Sequence, residues 1–222
     1  MMGRTHRVCG GLVALGGYIA FKKAGMLDPN INDITELITI YAASYYGSVA
    51  ADNDHVWESS PLKDPFSWLL NKILHLTTPI RKKMEEMGKR KSITYSLLGV
   101  FDARHRSWQT HSELPLILIG MALYLMPRGF EWTMLMGFGL GYLSHALMDM
   151  LSVGGYNIVI FQIANKILKR QVLPPKIRLV PRNSFFATGG RFEEGVYRVL
   201  NFSTILVAIW VVIQECVNIY SN

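Results

Sequence analysis

A run of apolar residues from Met134 to Met150 carries Ser144-His145-Ala146-Leu147-Met148-Asp149 in its last two turns. Residues four apart share one face of a helix, so His145 and Asp149 point the same way. An imidazole and a carboxylate near the end of a membrane-length apolar helix are costly to leave without a partner. A helix of this kind must therefore pack against elements that bring complementary groups. Three other stretches offer them: Thr5-His6, Asp52-Asn53-Asp54-His55, and His105-Arg106-Ser107-Trp108-Gln109-Thr110-His111. The working expectation is that all four stretches meet at one metal site.

The rest of the chain supports an all-α membrane bundle. Of 222 residues, 50% are hydrophobic and only 18% charged, against about 25% charged in an ordinary soluble domain. Five apolar segments stand out: Val8 to Phe21, Leu37 to Ala51, Leu114 to Met126, Trp132 to Met150 and Asn201 to Val217. None is a clean run of about 20 apolar residues, the length of a full span. The first, with Gly10, Gly11, Gly16 and Gly17, reads as a retained helix able to pack closely on a neighbour. Phe66 to Leu74 reads as an amphipathic helix at the membrane surface. The residues 1–222 are expected to form one domain. Cys9 and Cys216 lie in no CxxC pair and are expected to pack as small apolar residues without a disulfide.

Charge orients this arrangement. If the five segments span, the N-terminus, the stretch 52–111 and the stretch 151–200 share one side. Of the 23 Lys and Arg residues, 20 fall on that side, and only Lys22, Lys23 and Arg128 fall on the other. The positive-inside rule makes the basic side cytoplasmic. His6, Asp52, Asp54, His55, His105 and His111 lie on the same side, with His145 and Asp149 in the turns facing it. Basic charge so placed is accounted for by lipid headgroups and orientation, and no nucleic-acid partner is expected.

Each polar cluster has a plain reading beside its chemical one. Asp52-x-Asp54-His55 can supply carboxylate and imidazole to zinc, manganese or iron, or it is a set of solvated loop acids. Acids are unfavourable at a helix C-terminus, so two of them there call for an explanation. His105 and His111, with Arg104 and Arg106, can bind a phosphate, or they are loop histidines near headgroups. His145 and Asp149 can be metal ligands or an interhelical hydrogen bond. His75 is read as a surface residue. The chain has no HExxH, GxSxG, Walker A or GxGxxG motif.

The order of these pieces resembles the YdjM family. Thr5-His6, Asp52-x-Asp54-His55, the His105-Arg106 … Thr110-His111-Ser112 stretch, Ser144-His145-x-x-x-Asp149 followed by Gly154-Gly155, and Thr188-Gly189-Gly190 before the last segment follow the family's sequence of motifs. Ala51 stands where the family has proline, and one extra residue separates His105 from His111. The family comprises bacterial inner-membrane proteins taken to be metal-dependent hydrolases. It is thought to be distantly similar to the zinc-dependent phospholipase C and P1 nuclease group. The resemblance implies phosphoester hydrolysis with a divalent metal, zinc or alternatively manganese or iron, at a cytoplasm-facing site of a multi-pass inner-membrane protein.

On this basis His6, Asp52, Asp54, His111, His145 and Asp149 are the expected metal ligands. Asp54, His55, His105 and Arg106 are the expected catalytic groups, and Arg104 with Arg106 the expected holders of a substrate phosphate. The expected substrate is a lipid or lipid-linked phosphoester, and membrane lipids are the expected partners. The alternative is a non-enzymatic membrane protein, either a metal or ion carrier or a structural protein stapled by a metal.

Overall fold

A computed structural model describes residues 3–54, 65–98, 110–152, 155–179 and 191–221. His55, Arg104, His105 and Arg106 lie outside the described residues, as does the side chain of Asp54.

Among the described residues the regular structure is all helical apart from one two-residue strand pair. A helix runs over each apolar segment: α1 (Gly3–Lys23), α2 (Asp33–Ala50), α6 (Leu114–Leu125), α7 (Phe130–Met150) and α9 (Arg191–Ser221). Between them lie α3 (Pro65–Leu74), α4 (Thr78–Glu86), α5 (Ile93–Leu98) and α8 (Val159–Ile167), with strands β1 (Tyr156–Asn157) and β2 (Lys176–Ile177) paired antiparallel. The amphipathic stretch expected over Phe66 to Leu74 is α3, and His75 follows it, half-buried. Among the described residues α9 is the one helix long and apolar enough to cross a membrane by itself, and α6 is a shorter apolar helix. Both cysteines are free, Cys9 partly buried and Cys216 exposed on α9 rather than packed.

Helix boundaries follow local chemistry. Asn32 caps α2 by accepting from the Ile34 N–H at 2.9 Å, which satisfies a donor that the first turn leaves open. Pro115 sits in the first turn of α6, where its missing N–H costs nothing. The turn Pro127-Arg128-Gly129 separates α6 from α7.

The core of the bundle is the contact between α2 and α7. The two helices run parallel, and four successive contacts between them share an offset of 97 positions. Thr133 donates to Glu36 at 3.4 Å, Gly137 lies against Ile40, Gly141 against Ser44, and His145 bonds Ser48. Beyond the last of these contacts, Asp149 and Asp52 both lie within 3.9 Å of His145 Nε2. The four-residue spacing keeps every step on one face of each helix. Small residues make it possible: a Cβ on Gly47 would overlap the Phe138 carbonyl, and one on Gly141 would overlap the Ser44 carbonyl.

Helix α1 lies antiparallel to α2, with the Ser44 hydroxyl donating to the Gly10 carbonyl at 2.8 Å. Helix α9 lies parallel to α1. Its start meets Thr5, and its far end meets Lys22 through Glu215. Ala14, Leu15, Tyr18, Leu37, Ile40, Trp132, Met136 and Val211 form the apolar middle of the bundle. Outward faces of α6 and α9 carry exposed Leu118, Met121, Leu125, Phe202, Leu206 and Ile213. Apolar side chains thus cover the outside while many polar groups lie inside.

Candidate metal centre

The first α-hairpin places His6 at the start of α1 and Asp52 in the short 3-10 turn Ala51–Asp54 that ends α2. The second places His111 just before α6, and His145 and Asp149 in the last turns of α7. All five converge at one end of the bundle. Two overlapping sets, His6-Asp52-His145 and His111-His145-Asp149, have ligand atoms that all lie within 4.8 Å of one another. These are buried His/Asp groups of a kind that can bind a metal ion.

His145 is the common member, and its tautomer follows from geometry. Its Nδ1 lies 2.8 Å from the Ser48 carbonyl, which only accepts, so Nδ1 carries the proton. In the neutral ring Nε2 then presents a lone pair. It lies 3.5 Å from Asp149 Oδ2 and 3.9 Å from Asp52 Oδ1. On the other side, His111 Nε2 lies 3.7 Å from each of the same two oxygens. Two imidazole nitrogens and two carboxylate oxygens therefore alternate around a small quadrilateral. The His6 ring stacks on His145 with centroids 4.1 Å apart and planes 19° apart.

The edges of this frame, 3.5 to 3.9 Å, lie near the spacing of ligands around one cation. Bonds of about 2.0–2.2 Å at tetrahedral angles place zinc ligands roughly 3.3–3.6 Å apart. Among the described residues His145 Nε2 and His6 Nδ1 are buried without a hydrogen-bond partner, an arrangement that is otherwise costly.

Neighbouring groups hold the frame. Tyr142 donates its hydroxyl to the Thr110 carbonyl, and Tyr156 donates to the Ser112 carbonyl, so the segment around His111 is pinned on both sides. Burial, and then the charges of Glu113 and Asp149, push the Tyr156 phenol above its ordinary range, which keeps it a donor. The Thr110 hydroxyl lies 3.1 Å from His111 Nδ1, leaving Nε2 for the frame. For Asp52, burial opposes ionisation. The nearby imidazoles of His111, His145 and His6 outweigh it, so the carboxyl is held well below its usual range. Asp52 is 27% exposed at its side chain, whereas those of His111, His145 and Asp149 are at 0–2%. The frame thus has one open side.

The structure brings together five of the six expected ligands, with the side chain of Asp54 outside the description. Sequence reasoning missed the supporting groups. Ser48 acts through its backbone, which no residue type announces. Tyr142 and Tyr156 look like ordinary aromatics. Glu193, in the first turn of α9, is 2% exposed and accepts from Thr5 Oγ1 at 3.0 Å, next to His6, while Glu194 pairs with Arg4 and Arg198. Its one sequence signal is an acid in a helix's first turn, where the dipole favours it.

Glu193→Ala strands the buried Thr5 hydroxyl. It is expected to destabilise the protein by about 1–3 kcal/mol, read as a lower thermal unfolding midpoint. Glu193→Gln, which keeps the accepting oxygen, restores most of the loss.

No curated protein and no solved structure matches the chain. A family profile described as YdjM inner membrane protein matches residues 1–161, which contain every described member of the His/Asp frame, and the chain belongs to that family.

Proposed function

We propose that the chain is a metal-dependent hydrolase acting on a phosphoester of a lipid or lipid-linked substrate at the cytoplasmic face. The observation that carries the reading is the spacing around His145 Nε2. A ring nitrogen whose proton sits on Nδ1 faces two carboxylate oxygens at 3.5 and 3.9 Å. That is too long for charge-assisted hydrogen bonds of about 2.7–2.9 Å and close to the ligand spacing of a zinc site. The open side at Asp52 favours a working site over a closed structural one. The location at helix ends supports a substrate at headgroup depth once the five apolar helices span. The excess of Lys and Arg toward the same end supports a cytoplasmic orientation.

The ligands are His6, Asp52, His111, His145 and Asp149, with Asp54 joining them or acting as general base. A divalent ion held there supplies Lewis-acid polarisation of a phosphoryl oxygen and acidifies water. His55, His105 and Arg106 are assigned to proton transfer and phosphate contact, and Arg104 with Arg106 to holding the substrate. Water adds to phosphorus, the bond to the leaving oxygen breaks, and that oxygen takes up a proton.

The test is metal analysis of detergent-purified protein together with an assay on phosphomonoester and phosphodiester lipids. Expected is bound divalent metal and product release that chelation abolishes and added zinc, manganese or iron restores. Protein that holds no metal as purified and takes up none on titration overturns the reading.

A second reading has one observation in its favour. The near-complete burial of His6, His111, His145 and Asp149 suits a structural staple. It predicts unfolding on chelation with no turnover in the same assay. A carrier is less well supported. The apolar middle of the bundle, including Leu15, Ile40 and Met136, separates this frame from the polar groups Lys22, Asp33 and Glu215 at the other end.

A further inference from the structure

Helix α8 leaves an apolar stripe exposed. Two of its polar side chains, half-buried Asn165 and exposed Gln162, bond the chain's own return segment. Asn165 donates to the Leu173 carbonyl at 2.7 Å and accepts from the Val172 and Leu173 N–H groups, both at 2.9 Å. Gln162 donates to the Pro175 carbonyl at 3.4 Å. On another face Ile160, Ile163 and Ile167 recur at helical spacing, all three exposed, Ile167 at 73%. Leu168, Val172 and Leu179 are exposed as well, and so are Lys166, Lys169 and Arg170 in and just after α8. Exposed apolar stripes bordered by basic residues fit an anionic bilayer surface, and the chain belongs to an inner-membrane family.

The helix is also tied to the metal frame. Glu113 Oε2 accepts from the Val159 N–H at 2.9 Å and Oε1 from the Ile160 N–H at 2.6 Å, filling two donor positions that open the helix. Glu113 follows His111-Ser112 directly in sequence, and Tyr156, just before α8, holds the Ser112 carbonyl.

We infer that α8 is an interfacial helix seated in the bilayer beside the His/Asp frame, with Ile160, Ile163 and Ile167 among the lipid acyl chains, and that this seating steadies the His111 segment through Glu113. The occupant of the apolar face is the lipid surface itself. The seating does not depend on the identity of the chemistry at the frame.

The experiment places an environment-sensitive fluorophore on Ile163→Cys in a Cys9→Ser, Cys216→Ser background, with the full chain reconstituted in vesicles containing phosphatidylglycerol. Expected is a blue-shifted emission that nitroxide-labelled acyl chains quench and aqueous iodide does not. A label at Lys166→Cys is expected to show the reverse. Iodide quenching of the Ile163 label overturns the proposal. Efficient Ile163→Cys cross-linking between copies, with no lipid quenching, also overturns it, in favour of self-association.

For the link to the frame, hydrogen exchange of the peptides covering 110–125 and 155–168 is compared between the wild type and Ile163→Asp in the same vesicles. Faster exchange in both peptides is expected, and Glu113→Ala should reproduce it. Unchanged exchange at 110–125 in both variants removes the coupling. Neither readout requires bound metal or turnover, so failure here is separable from failure of the hydrolase reading.

Discussion

His145→Ala is expected to abolish stoichiometric metal binding. His145 belongs to both overlapping sets, so its loss breaks each of them. Losing a group that merely supports a ligand costs about 10–100-fold in affinity, and loss of the shared ligand should exceed that range. The substitution also opens a cavity against the stacked His6 ring and frees the Ser48 carbonyl from its donor, so misfolding has to be separated from ligand loss. Asp149→Asn serves for this, because it keeps the side-chain shape while removing the charge. Metal content by elemental analysis, with circular dichroism on the same samples, decides the question. Two folded variants with unchanged metal content sink the assigned ligands.

Much of the architecture was readable because membrane-type segments announce themselves by composition. Each of the five apolar segments became a helix, with α6 and α7 matching nearly to the residue. The largest error of extent is at α9, which begins at Arg191 rather than Asn201. Its first turns hold Glu193, Glu194 and Arg198, and a polar stretch without an apolar stripe does not read as part of a span. Those residues are helical because they pair along and across helices, Glu194 with Arg198 and with Arg4. Helices α4, α5 and α8 were not anticipated. Both α4 and α8 are only nine residues long, α4 rich in charge and α8 set between Gly155 and Pro174.

The candidate site was legible for a different reason. Each His and Asp is expensive in an apolar setting, so its presence carries information that an exposed loop acid does not. Segment alternation alone puts the start of α1, the end of α2, the start of α6 and the end of α7 at one end of the bundle. The sequence could not supply the register that turns co-location into a frame. That register is the 97-residue ladder between α2 and α7, and it rests on contacts between backbones, which have no sequence signature beyond small residues at four-residue spacing.

The ladder makes its own prediction, and its sign is diagnostic. In an exposed helix Gly→Ala stabilises by about 0.8–1 kcal/mol through propensity. Gly141→Ala should do the opposite. The added methyl would overlap the Ser44 carbonyl and crowd the Ser48 N–H, and backbone atoms cannot swing aside as a flexible side chain can. The helices must separate, at a cost of roughly 1–3 kcal/mol for overpacking. The next step of the ladder toward the site is the His145–Ser48 hydrogen bond, so separation at Gly141 also releases His145 from the carbonyl that fixes its tautomer. Gly141→Ala is therefore expected to lower both the unfolding midpoint and the metal affinity. Gly16→Ala in α1, where an added methyl meets nothing within 4 Å, is expected to leave metal affinity unchanged and stability unchanged or raised. Thermal unfolding and metal titration of the two variants side by side test the pair. A Gly141→Ala protein as stable as the Gly16→Ala protein, with wild-type metal affinity, would show that the close crossing of α2 and α7 does not set the geometry of the frame.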